Sequence, residues 1–156
     1  MPTDRRPTIY LSNWSSARTP GHHGPGRKLT IMAAPRAWER GVGRVSTLTP
    51  VLSDLRNAQK GRLSPEEYRR RFELDLRRAM PDAMSPGALL IDAEADDWEG
   101  IGGHPSRVVR DGDTLCCACS RDAAAAGRCH RVWAAPALVR AGWRVILDGV
   151  EVPDAG

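Results

Sequence analysis

The sequence predicts a single compact α/β domain with a mainly parallel sheet flanked by helices. Three observations predict it. Short β-branched and apolar runs recur along the chain, at residues 8–14, 28–33, 114–119 and 143–147. The last two bracket a helical pattern, which is the signature of a βαβ unit with parallel strands. A capped amphipathic helix is written into residues 64–79. The chain's 156 residues suit one domain. A domain of that size buries roughly two-thirds of its unfolded surface.

The first strand is Thr8-Ile9-Tyr10-Leu11-Ser12-Asn13-Trp14, following a disordered tail at 1–7. Residues 15–27 form a loop, because Pro20-Gly21-His22-His23-Gly24-Pro25-Gly26 excludes a helix or a central strand. A loop of this length is more often functional than decorative. The second strand starts at Lys28 and leaves through Pro35 into a turn at Gly41-Val42-Gly43.

Two helices follow. Thr49-Pro50 opens one that ends at Lys60-Gly61. The next begins with Ser64 as N-cap, Pro65 at the first helical position and Glu67 three residues after the cap. Tyr68, Phe72, Leu76 and Ala79 then share one face, while Arg69, Arg70, Arg71, Arg77 and Arg78 lie mostly on the other. Residues 80–113 carry weaker signals. Leu89-Leu90-Ile91 suits a helix segment or a short strand. The acidic run Asp92, Glu94, Asp96, Asp97 and Glu99 lacks the positional pattern of a calcium loop and reads as a solvated turn. Near the end, Val132, Ala135, Leu138 and Val139 follow a helical period up to Gly142, and Pro136 predicts a kink or a restart. The domain closes at Leu147, and residues 148–156 read as an acidic tail.

The net charge of +4 conceals a polarised chain. Residues 1–85 hold 16 basic and 8 acidic residues, against 7 and 11 in residues 86–156. A basic half suits an anionic small molecule or a nucleic acid. The opposing explanation is compositional. Of 23 basic residues 21 are Arg, as a GC-rich coding sequence would scatter them. No window approaches 18 consecutive apolar residues, so no membrane-spanning helix is expected. No apolar stretch follows Arg5-Arg6, so no secretory signal is expected and a cytoplasmic location is.

All four cysteines, Cys116, Cys117, Cys119 and Cys129, fall within 14 residues. A disulfide framework spreads its cysteines along a chain, so this clustering points elsewhere. Three readings stay open. The cysteines can pack as small hydrophobes, which suits Cys116 best. They can hold a structural zinc through Cys116, Cys119, Cys129 and His130, although no second Cys-x-x-Cys or His pair completes the pattern. They can form a reactive site. Cys117 and Cys119 lie at a strand end, and Cys129, His130 and Arg131 lie where the next helix begins. Ligands of parallel α/β sheets bind at such ends. A thiol there is shifted toward thiolate by the helix dipole and by neighbouring Arg. On this reading His130 moves a proton and Arg131 holds a phosphate or carboxylate. Ser12, Arg27 and Lys28 contact an anionic ligand under the loop that precedes the second strand. No cofactor is required.

The series Leu115-Cys116-Cys117-Ala118-Cys119, a short gap, Cys129-His130-Arg131, a helix and Gly142-Trp143-Arg144-Val145 resembles the domain of unknown function 488 family. Tyr10-Leu11-Ser12, Lys28-Leu29-Thr30-Ile31, Pro35, Leu48-Thr49-Pro50, Lys60-Gly61 and Glu67-Tyr68 echo its earlier elements in order, so the resemblance spans about residues 8–147. It implies a compact α/β domain of bacteria, archaea or their viruses, without an established reaction. Members usually carry an acidic residue two positions beyond the strand cysteine, where this chain has Cys119. The combined expectation is a cysteine-dependent enzyme acting on a nucleotide, nucleoside or nucleic-acid end. The alternative is a non-catalytic nucleic-acid or protein-binding module with an Arg-rich face.

Overall fold

A computed structural model describes residues 5–15, 19–33, 42–79, 81–91, 93–94, 108–117 and 129–154. Its elements in chain order are β1 (Thr8–Asn13), β2 (Lys28–Thr30), β3 (Gly43–Arg44), α1 (Leu52–Gln59), α2 (Pro65–Arg78), α3 (Pro81–Met84), β4 (Ala93–Glu94), β5 (Thr114–Cys117), α4 (His130–Arg140), β6 (Arg144–Leu147) and β7 (Val150–Glu151). A short 3-10 turn at Ser46–Leu48 precedes α1.

The strands form one sheet in the order β4-β3-β2-β5-β1-β6-β7. The inner pairings β3–β2, β2–β5, β5–β1 and β1–β6 are parallel, and the outermost strands β4 and β7 run antiparallel. This is the expected single α/β domain with a mainly parallel sheet. Parallel pairing places side chains of equal register on one face. Leu29, Leu115, Leu11 and Leu147 therefore form one row, and Thr30, Cys116 and Ser12 a row on the opposite face.

The apolar rows bury against α4, whose Ala134 and Leu138 are fully buried. In turn α2 packs on α4. Trp133 meets Tyr68 edge-on at 5.4 Å and lies 5.8 Å from Phe72 between ring centroids. Burying aromatic side chains of this size is a main source of a small core's stability. The Trp143 indole N–H donates to the Met84 carbonyl at 2.6 Å and ties α3 to the start of β6.

Three local expectations are corrected, and one left open between helix and strand is narrowed. The helix does not restart at Pro136; α4 runs through it from His130 to Arg140. Burial of Trp133, Ala134, Ala137 and Leu138 outweighs the one backbone hydrogen bond that Pro forfeits. Gly43 is not only a turn residue, since Gly43–Arg44 pairs with β2 on one side and β4 on the other. The 89–91 segment, open between helix and strand, makes a single antiparallel bridge, Leu90 to Val108. Residues 148–151 are not part of a trailing tail. Asp148 and Gly149, with φ of 48° and 84°, make a two-residue turn that folds β7 back on β6. The acidic run lies outside the described residues, apart from Glu94 in β4.

A dithiol and a buried arginine at the sheet's carboxyl end

Parallel pairing aligns the carboxyl ends of β1, β5 and β6, and the chain after them supplies the site. Asn13 ends β1 in register with Cys117, the last residue of β5. Asp148 follows β6, its backbone N–H donating to the Leu11 carbonyl at 2.9 Å. Cys129 is the N-cap residue of α4, and His130 and Arg131 open its first turn. Residues 118–128 link β5 to this helix and lie outside the described residues, as does Cys119.

Strand alternation points Cys117 toward α4 and Cys116 to the opposite face. The Cys117 and Cys129 sulfurs approach to 3.2 Å, and both side chains are fully buried. Arg131 is also fully buried. Its Nη1 donates to Cys117 Sγ at 2.9 Å and to Cys129 Sγ at 3.2 Å. Its Nε and Nη2 donate to the Asp148 carboxylate at 3.1–3.3 Å. The guanidinium thus spends one edge on a carboxylate and one nitrogen on two sulfurs. Burial works to lower the Arg131 pKa, but Cys117, Cys129 and Asp148 together raise it above its ordinary value. The group is a fixed cation.

His130 plays a different part from the one expected. Its Nε2 lies 2.8 Å from the Ile31 carbonyl oxygen. A carbonyl only accepts, so Nε2 carries the proton. The ring meets Phe72 edge-on at 5.6 Å. Burial lowers its pKa, and nearby Arg131 adds to that; Cys117 and the Ile31 hydrogen bond oppose it. A neutral imidazole pinned to the end of β2 anchors the start of α4.

Other expected site residues lie elsewhere. Lys28 pairs with Thr114, three residues before Cys117, so about 10 Å of strand separates it from the sulfurs. Arg27 is held at that same amino end. Its Nη2 bonds the Asp113 carboxylate and the Val108 carbonyl, each at 2.8 Å, and its backbone N–H bonds Asp113 at 2.9 Å. Ser12 sits beside Cys116 on the face away from α4, where its hydroxyl meets the Asn13 carbonyl at 3.4 Å. The loop covers that second face: Gly24 N–H donates to Thr114 Oγ1 at 2.9 Å. At its near end, the His22 ring packs close against Gly149, beside Asp148.

The set Cys116, Cys119, Cys129 and His130 does not converge as a zinc site through its described members, because Cys116 and Cys129 occupy opposite faces of the sheet. Among the described residues no three Cys, His, Asp or Glu side chains gather as ligands. The arginines of α2 are largely engaged with carboxylates. Arg69 pairs with Glu73, Arg70 with Glu67, and Arg71 with Asp54 and Glu67. A cavity of about 270 Å³ between α2, α3 and α4 is lined by residues of these helices, among them Glu73, Leu76, Met84, Trp133 and Arg140; it does not include the sulfurs.

One member of the site, Asp148, escapes sequence reasoning. For Asp148 the available signal is Asp-Gly after an apolar run, a hairpin signature that folds the carboxylate back over the strand ends. Among the described residues, no helix is long and apolar enough to cross a membrane. Comparison of the chain with protein-family models, with curated proteins and with solved structures finds no match.

Proposed function

We propose that the protein is a small cysteine-dependent enzyme whose nucleophile is the thiolate of Cys117, with Cys129 as its companion thiol. The observation that carries this reading is the single Arg131 nitrogen donating to both buried sulfurs while Asp148 holds the rest of the guanidinium. A fixed cation beside a thiol favours the thiolate, the nucleophilic form. The N-terminus of α4, at Cys129, adds a positive helix-dipole end in the same place. Thiols that merely fill a core have no use for a buried arginine, because burying a guanidinium is costly unless its partners are charged. The position also suits catalysis, since parallel α/β sheets bind ligands beyond their strand ends.

The substrate class we assign is a nucleotide, nucleoside or nucleic-acid end. Its support lies in the sequence, in the basic bias of residues 1–85 and the ordered resemblance to the domain of unknown function 488 family. The site itself supplies the nucleophile and its activating cation. His130 acts as a positioning residue that fixes the first turn of α4.

Iodoacetamide at near-neutral pH, followed by peptide mass mapping, tests the reading. Cys117 is expected to be alkylated at least tenfold faster than Cys116, and Arg131→Lys, which keeps charge but loses the fork geometry, is expected to narrow that ratio. If all cysteines react together, and only as fast as the chain unfolds, the sulfurs are packing groups and the proposal fails.

A further inference from the structure

The two sulfurs have a second consequence. Cys117 ends a strand and Cys129 caps a helix, so neither is placed by its sequence neighbours, yet the fold sets them 3.2 Å apart. A disulfide needs a separation near 2.05 Å, about 1.2 Å closer, which side-chain rotation supplies when the backbone is already in place. Both sulfurs share one hydrogen-bond donor on Arg131. Such an arrangement stabilises the first sulfur as thiolate while keeping the second within bonding reach.

We propose that Cys117 and Cys129 are a redox modification site, which closes to a reversible disulfide when it meets a hydroperoxide. This deepens the proposed function: it rests on the same thiolate and assigns its regulation. The Cys117 thiolate attacks the outer peroxide oxygen. The O–O bond breaks, the alkoxide or hydroxide leaves and takes a proton from water to become alcohol or water, and Cys117 becomes a sulfenic acid. The Cys129 thiol then attacks the Cys117 sulfur, the S–O bond breaks, and water leaves with the thiol proton. The two thiols lose two electrons together and the peroxide gains them. A dithiol reductant reverses the step by exchange. The disulfide removes the nucleophile and leaves Arg131 balanced by Asp148. It also joins the end of β5 to the start of α4, closing residues 118–128 into a loop.

The test uses the full chain, with hydrogen peroxide as oxidant. After a brief treatment the protein is denatured in N-ethylmaleimide, and its peptides are mapped. We expect a link between the Cys117 and Cys129 peptides that dithiothreitol removes. It should persist in Cys116→Ser and Cys119→Ser and vanish in Cys129→Ser, where a sulfenic acid at Cys117 becomes trappable by dimedone. A link that joins Cys129 to Cys116 or Cys119 instead, or full maleimide labelling of Cys117 and Cys129 after peroxide, overturns the inference. The wild-type peptide map decides this even if a variant fails to fold. A disulfide without selective alkylation of Cys117 removes the enzyme reading and leaves this one. Selective alkylation without a disulfide does the reverse.

Discussion

Asp148 holds Arg131 from outside the helix: its carboxylate takes the Nε and Nη2 edge, leaving Nη1 for the sulfurs. Arg131 is fully buried and Asp148 is about one-quarter exposed. The Asp148→Asn variant keeps the shape and tolerates the positive φ, because Asn adopts that region readily. It removes only the charge. We expect a loss of about 1–3 kcal/mol in urea unfolding. We also expect faster alkylation of Cys117 at fixed pH, since the Arg131 charge is then no longer shared with the Asp148 carboxylate. Unchanged stability together with unchanged alkylation would remove Asp148 from the site.

The buried His130 sets a pH dependence. Its pKa is lowered in the folded state, chiefly by burial. The unfolded chain therefore takes up a proton at its ordinary value of about 6.5, while the folded chain resists. The stability contributed by neutral His130 is present above that pH and is lost as pH falls below it, toward the folded-state pKa. In that window the slope approaches, at most, about 1.4 kcal/mol per pH unit. His130→Gln retains a donor for the Ile31 carbonyl and does not titrate. Urea midpoints measured from pH 7 to pH 5 should fall less steeply in the variant. Parallel slopes would show that His130 does not titrate on unfolding.

Parts of this architecture are legible from sequence for a local reason. The N-terminus of α2 needs only Ser64, Pro65 and Glu67, and the structure shows Ser64 Oγ accepting from the Glu67 N–H at 3.1 Å. Cys117 and Cys129 could be brought together on paper because a βαβ unit returns the chain from a strand end to a helix start. Long-range partners are less legible. Arg27 looks available for an anion until the register sets Asp113 beside it, 86 residues away in sequence. Pro136 forecasts a kink or a restart, but the burial of its neighbours is a tertiary property. The strand β7 is two exposed residues, too short for any period to reveal, so Asp148 looked like the start of a tail.

The cap on α2 gives a local stability test. Ser64→Ala leaves the Glu67 N–H to water and should cost about 1 kcal/mol. Glu67 remains paired with Arg70 and Arg71, whose guanidinium groups hold its pKa down to about 2. Its carboxylate thus stays charged across the ordinary carboxylate range, and acid weakens these pairs only as pH falls toward that value. Urea unfolding at neutral pH measures the cap alone. A variant as stable as wild type would show that solvent replaces the serine fully.

Two glycines separate close approach from backbone strain. A Cβ on Gly24 would overlap the Gly112 carbonyl oxygen and come within 2.7 Å of the Tyr10 ring. The obstacle includes backbone on both sides, tied by the Gly24 bond to Thr114 and the Gly26 bond to Gly112. Gly61 has φ of +73° and nothing near its Cβ position, so substitution there meets strain alone. We expect Gly24→Ala to cost about 2–3 kcal/mol, through overpacking of the loop against Gly112 and Tyr10. Gly61→Ala should cost about 1–2 kcal/mol, from the left-handed conformation. The loop covers the sheet face opposite Cys117. Gly24→Ala should therefore lower the unfolding midpoint while preserving the Cys117 alkylation rate measured well below it. A changed Cys117 rate at full folding would couple the loop to the dithiol side of the sheet.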